Sequence, residues 1–133
     1  MYSETTHYIQ VDVTPQYIAD QSRPQDDLFV WSYTITIRNT GTDTVQLLSR
    51  NWTIINARGE KNEITGAGVI GETPILTAGE SFTYTSGVPL STSSGMMFGS
   101  YTFTRIAAAR EPLFAVTIPA FSLDIPNQTP IVN

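Results

Sequence analysis

Gly66, Gly68 and Gly71 stand at the spacing G-x-G-x-x-G within the stretch ITGAGVIGETPILTAG, which runs from Ile64 to Gly79. That spacing can cradle a nucleotide phosphate, because glycine lets the backbone approach closely and a helix behind it supplies free N–H groups. The dinucleotide form also needs a helix after the loop and an acid about 20 positions on for the ribose. Here Glu72-Thr73-Pro74 follows, which argues against a helix, and the later stretch SGVPLSTS carries no acid. Lys61, the single lysine, precedes the loop, so a kinase-type pairing with a later lysine has no donor. A nest of N–H groups can hold an anion without a helix, although Glu72 would oppose it by charge. The glycines therefore read first as turn-formers. Binding of pyrophosphate or a nucleotide at Gly66, Gly68, Gly71 and Glu72 is the alternative.

Other chemistry is sparse. His7 is the only histidine and there is no cysteine, so a thiol nucleophile, a disulfide and a thiolate metal site are excluded. A Ser/His/Asp arrangement would have to use His7, and no G-x-S-x-G elbow accompanies it. Asp26-Asp27, or Glu60 with Glu63, could meet a hard cation, but they read as solvated loop charges. The expectation is no catalytic residue, no metal site, no cofactor and no enzymatic activity.

The stretch LLSRNW, residues 47–52, differs. Ser49-Arg50-Asn51 interrupts apolar surroundings before Trp52 resumes them, which predicts a kink or a short polar edge. In one reading Arg50 pairs with a nearby acid while Ser49 and Asn51 satisfy backbone groups at a bulge. In the other, Arg50 and Trp52 belong to an interaction surface, since both residue types are enriched at binding hot spots.

The elements that must carry these residues have a period of two. In LFVWSYTITIR, Phe29, Trp31, Tyr33, Ile35 and Ile37 share one face, as do Ile9, Val11 and Val13 in HYIQVDV. VQLLSRNWTIIN, SFTYTS, FGSYTFTRI and LFAVTIPAFSLDI read as further strands. Asn39-Thr40-Gly41, Ala57-Arg58-Gly59 and Thr77-Ala78-Gly79-Glu80 read as turns whose glycine takes positive φ. The segment Ile106–Arg110 is too short for a useful helix before Pro112. In the last strand the apolar phase slips at Pro119, from Phe114, Val116 and Ile118 to Phe121, Leu123 and Ile125, which predicts a bulge or sheet switch. About seven short strands with regular turn signals indicate an all-β antiparallel sandwich.

At 133 residues the chain reads as one domain, 1–133, with a core over about 5–126 and a short flexible tail at 127–133. Its formal charge is −5 with scattered arginines, which disfavours nucleic acid as a partner. No stretch approaches the roughly 18 apolar residues of a membrane span, and the N-terminal MYSETTHYIQVDV has no basic or apolar signal region. The expectation is a cytoplasmic protein, a monomer or weak homodimer, with an unknown protein partner and no membrane insertion.

VQLLSRNWTI, GAGVIGETPILTAGESFTYTSG, MMFGSYTF and IPAFSLDIP together resemble the ApaG family, in order and spacing, over about residues 5–126. The resemblance implies an immunoglobulin-like or fibronectin type III-like sandwich in a bacterial cytoplasmic protein. It implies a family-level link to cobalt and magnesium efflux, and a binding role like that of the similar domain in eukaryotic multidomain proteins. Nucleotide binding has been suggested for the family from its glycine pattern. The family usually has histidine after the arginine, where this chain has Asn51, and asparagine neither titrates nor ligates a transition metal well. The leading expectation is a non-enzymatic protein-interaction module, whose surfaces are the loop from Gly66 to Pro74, the Arg50 region and the edge Thr85-Ser86-Gly87.

Overall fold

The computed structural model describes residues 1–108 and 110–126; the tail expected at 127–133 lies outside them. Nine strands follow one another: β1 (Tyr2–Thr6), β2 (Ile9–Tyr17), β3 (Phe29–Asn39), β4 (Val45–Asn56), β5 (Lys61–Ala67), β6 (Ile75–Leu76), β7 (Ser81–Leu90), β8 (Gly95–Arg105) and β9 (Leu113–Leu123). The helical elements among the described residues are two 3-10 turns, Ala19–Gln21 and Pro24–Asp26. One sheet has the order β1-β2-β3-β7 and the other β5-β4-β8-β9, with β6 pairing β4 beyond the end of β5. All pairings are antiparallel. The molecule is the all-β antiparallel sandwich that its period-two patterning indicates.

The alternation explains the layers. Ile9, Val11 and Val13 of β2 and Trp31, Tyr33, Ile35 and Ile37 of β3 are buried and face Leu47, Trp52, Met97, Tyr101, Phe103, Val116 and Phe121 of the other sheet. Each large apolar side chain so placed contributes about 1.5–3 kcal/mol. Two strands change phase on the way. β4 buries Val45 and Leu47, then Trp52 and Ile54, and its pairing with β8 skips Leu48. β9 buries Phe114, Val116 and Ile118, then Phe121 and Leu123, with Pro119-Ala120 opposing the single residue Phe98. The bulge expected at Pro119 is present, and it keeps both halves of β9 on the core.

The sequence reading expects about seven strands and places six; the unplaced ones are the edge strands β1 and β5, with no fully buried residue to mark them, and the two-residue β6. The turn expectations need correction at two places. Gly59 (φ 80°) closes a true hairpin between β4 and β5, whereas Asn39-Thr40-Gly41 and Thr77–Glu80 carry the chain from one sheet to the other. Gly41 does not take positive φ; a Cβ there would crowd the Tyr8 side chain at 3.0 Å. Asn39 is buried at this crossover. Its Nδ2 donates to the Asp43 carbonyl (2.7 Å) and the Leu76 carbonyl (3.1 Å), while its Oδ1 accepts from the Gly41 N–H (3.0 Å).

The two flanks of the sandwich differ. On one, β1 and β2 pack against β9, and the Thr117 and Ser122 N–H groups donate to the Thr6 hydroxyl (3.2 Å) and the Tyr2 hydroxyl (3.3 Å). On the other, the edges β5 and β7 are not joined. Every residue of β5 except the half-buried Gly66 is exposed.

Candidate functional site

The glycine loop is a hairpin turn. The Val69 N–H donates to the Glu72 carbonyl (2.8 Å) and the Glu72 N–H to the Val69 carbonyl (2.9 Å). Between them Ile70 (φ 43°) and Gly71 (φ 79°) both have positive φ, the signature of a type I′ turn. Gly68 has φ 62°, and a side chain there would run into the Glu72 carbonyl. Its own N–H donates to the Leu48 carbonyl (2.8 Å). The amides of Gly68, Val69 and Glu72 are thus committed inside the protein, and the chain continues to β6 with no helix behind the turn. The loop therefore has no helix N-terminus to draw a phosphate, and three of its amides are already bonded.

Gly66 serves a different purpose. It lies in β5 opposite Arg50 of β4, and a Cβ at position 66 would sit 2.9 Å from Arg50 Nη1 and 3.0 Å from Cζ and Nη2. The missing side chain is the space in which the guanidinium lies. From there Nη1 donates to the Ala67 carbonyl (3.1 Å) and the Gly68 carbonyl (2.9 Å). The glycine-rich segment therefore turns carbonyl oxygens toward a cation. The acid partner expected for Arg50 is absent among the described residues, a correction to the first reading of LLSRNW; backbone carbonyls take that place. The bulge at Leu48 is why, since it moves Arg50 onto the inward phase shared with Trp52 and Ile54.

Arg50 lines a cleft of roughly 470 Å³ at the open flank. Trp52, Ile54 and Met97 form its apolar depth, Asn62 and Ile64 of β5 one wall, and Ser86, Val88 and Leu90 of β7 the other. At the rim Arg58 pairs with Glu60 (3.1 Å) and Lys61 with Glu63 (3.5 Å). Arg58 and Asn56 hold the Glu60 carboxyl below its ordinary range, Asn56 most strongly. Glu60 and Lys61 also line the cleft but are paired with Arg58 and Glu63, which leaves Arg50 as the lining charge without an ion-pair partner among the described residues. Its Nε and Nη2 have no hydrogen-bond partner among the described residues, and no buried side-chain nitrogen or oxygen lacks one. Those two donors therefore keep contact with solvent.

The sites expected from sequence are thus divided. Arg50 and Trp52 line the cleft and Gly66 packs against Arg50 without lining it, whereas Gly68, Gly71 and Glu72 form the turn that follows β5 and do not line it. Trp52 is only 3 % exposed, so its indole is a core group, edge-on to Tyr33 (centroids 5.4 Å apart) and Phe121 (5.9 Å), with a remnant facing the cleft. Asn51 is exposed and out of phase with Arg50 and Trp52, which puts it on the outer face of the sheet. His7 is exposed in the β1–β2 turn with its ring edge-on to Phe114 (5.6 Å). Among the described residues no three His, Asp or Glu side chains gather as a metal site, and no helix is long and apolar enough to cross a membrane.

Of the walls, sequence reasoning singled out Ser86 and Gly87, in the edge Thr85-Ser86-Gly87, and missed the rest. Tyr33, Val88 and Leu90 look like ordinary core positions, and Asn62 and Ile64 lie in a strand with too little apolar alternation to be seen. Beneath Arg50, the Tyr84 and Tyr101 hydroxyls meet at 2.5 Å and join β7 of one sheet to β8 of the other. Burial pushes both phenols well above their ordinary range.

An ApaG domain model matches residues 19–105. Protein ApaG of Rhodospirillum centenum is 50% identical over 127 residues, covering 96% of this chain and 95% of that protein. Protein ApaG of Brucella anthropi is 50% identical over 133 residues, the full length of both. Among solved structures, a Bordetella pertussis protein described as ApaA superposes with a TM-score of 0.84 at 39% identity, covering 90% of this chain and 95% of that one.

Proposed function

We propose, from the premise that this chain belongs to the ApaG domain family, that it is a non-enzymatic protein-interaction module which docks a partner at the open flank. One observation carries this reading: two unjoined sheet edges border a cleft in which Arg50, unlike the paired Glu60 and Lys61, has no acid bonded to it among the described residues. Free edges invite strand pairing, and a cleft with apolar depth and one fixed polar anchor supports specific recognition. Cytoplasmic residence is the compartment in which such a partner is expected.

A photo-cross-linking residue at Ser86 tests the docking reading in cells. It is expected to trap a discrete protein adduct, while the same residue at Ser3 on the sealed flank traps none. Equal labelling at both positions, or none at Ser86, would refute it. The phosphate alternative has less support, because no helix backs the glycine loop, three of its amides bond inside the protein, and its carbonyls face Arg50. Calorimetry with ATP, Ap4A and pyrophosphate in the presence of magnesium is expected to give flat traces at millimolar ligand. The link to cobalt and magnesium efflux then runs through a partner, and unchanged cobalt tolerance after gene disruption would remove it.

A further inference from the structure

We infer that the partner supplies an extended strand that adds to the free edge of β7 and brings an aspartate or glutamate side chain onto Arg50. The inference rests on the docking reading above and names the chemistry of the occupant.

The argument begins with the overhang of β5. The inner face of that strand is exposed at Asn62 and Ile64 and carries the Arg50 guanidinium at Gly66, since the facing sheet stops at β7. Strands in a sheet lie 4.7–4.9 Å apart and packed sheets about 10 Å. One additional strand beside β7 would therefore sit over β5 and complete the second layer. Its alternate side chains would enter the cleft and the others would face solvent.

Charge selects what those side chains are. The rim charges neutralise each other in pairs, so Arg50 stands alone with Nε and Nη2 in contact with solvent. A guanidinium with two adjacent donors matches a carboxylate in a two-pronged contact. Gly66 lets it lie flat on the floor, where its carbonyl bonds hold it in place. Position along the cleft then sets the order. Arg50 lies opposite Gly66, while Ile64 opposes Trp52 and Asn62 opposes Ile54. The apolar lining of Trp52, Ile54, Met97, Val88 and Leu90 lies to one side of Arg50 and Ser86, inside a polar rim of Asn56, Glu60, Lys61, Asn62 and Ser91. A strand antiparallel to β7 passes the apolar end first, so its inward residues read apolar-x-apolar-x-acid from N- to C-terminus.

Display of random peptides of about twelve residues on the full chain tests this, with R50Q as the counter-target. The wild-type protein is expected to enrich apolar-x-apolar-x-acid. By calorimetry the leading peptide should bind R50Q at least about tenfold more weakly, as should its own Glu→Gln or Asp→Asn counterpart bind the wild type. The second arm needs no protein variant, so it holds even if R50Q folds poorly. Bound peptide should slow amide exchange along Thr83–Gly87. Enriched peptides that occupy the cleft without an acid would overturn the inference and leave the docking reading standing. So would slowed exchange confined to β5. No enriched peptide, or pyrophosphate displacing every one of them, would overturn both.

Discussion

Gly66 and Gly68 are two residues apart, but a methyl group meets different obstacles at each. At 66 it meets the end of a flexible arginine; at 68 it meets a backbone carbonyl at positive φ. Gly66→Ala is therefore expected to cost under about 1 kcal/mol in urea unfolding while displacing Arg50, and Gly68→Ala about 1–3 kcal/mol. The Tyr84–Tyr101 contact offers a cleaner cycle. Tyr84→Phe or Tyr101→Phe alone leaves a buried hydroxyl without its partner, at about 1–3 kcal/mol, whereas the double change leaves no orphan and should be nearly neutral relative to the wild type. Denaturation midpoints of the three variants check this. Asn39 is the most connected polar side chain in the core. Asn39→Leu strips partners from two carbonyls and one N–H, and an equilibrium loss of about 2–4 kcal/mol is expected.

Strands carry their register in the pattern of what they bury, and β4 shows how far that pattern can be read. Val45 and Leu47 are in one phase, Trp52 and Ile54 in the other. The interruption at Ser49-Arg50-Asn51 was visible in the sequence, as was the phase slip at Pro119, because each changes the parity of large apolar residues. The consequence for Arg50 was not visible, since its inward direction depends on which residue the bulge expels. β5 was illegible for a related reason: its inner positions are Asn62, Ile64 and Gly66, because no facing strand covers them. The crossover at Asn39 resembled a hairpin since turn residues serve both, and only pairing across the sandwich distinguishes them. Trp52 is the strongest test of the β4 assignment. Trp52→Ala should cost about 3–5 kcal/mol as a core truncation, far more than the loss of a surface aromatic, and thermal unfolding will separate the two.

Across the whole molecule, pH dependence should be felt mainly at the alkaline end. Tyr84 and Tyr101 hold their protons to higher pH in the folded protein than in the unfolded chain, burial being the main cause. That contribution is complete below pH of about 10 and falls as pH rises through the folded values. Denaturation midpoints should therefore drop steeply above about pH 10, and the paired Phe variant should lose most of that slope. Glu60 and Glu80 are lowered by their hydrogen bonds, Glu60 to Asn56 and Arg58 and Glu80 to Thr77. Their contribution is present above the ordinary carboxylate range and fades on acidification, only slightly because both are exposed. The unequal flanks have one last effect, on stoichiometry. Where Tyr2 and Thr6 seal one side, growth of the layers stops; a guest beside β7 would in turn present its own far margin to water. The module would thus saturate at one guest per molecule, and any longer array would be built by the guest.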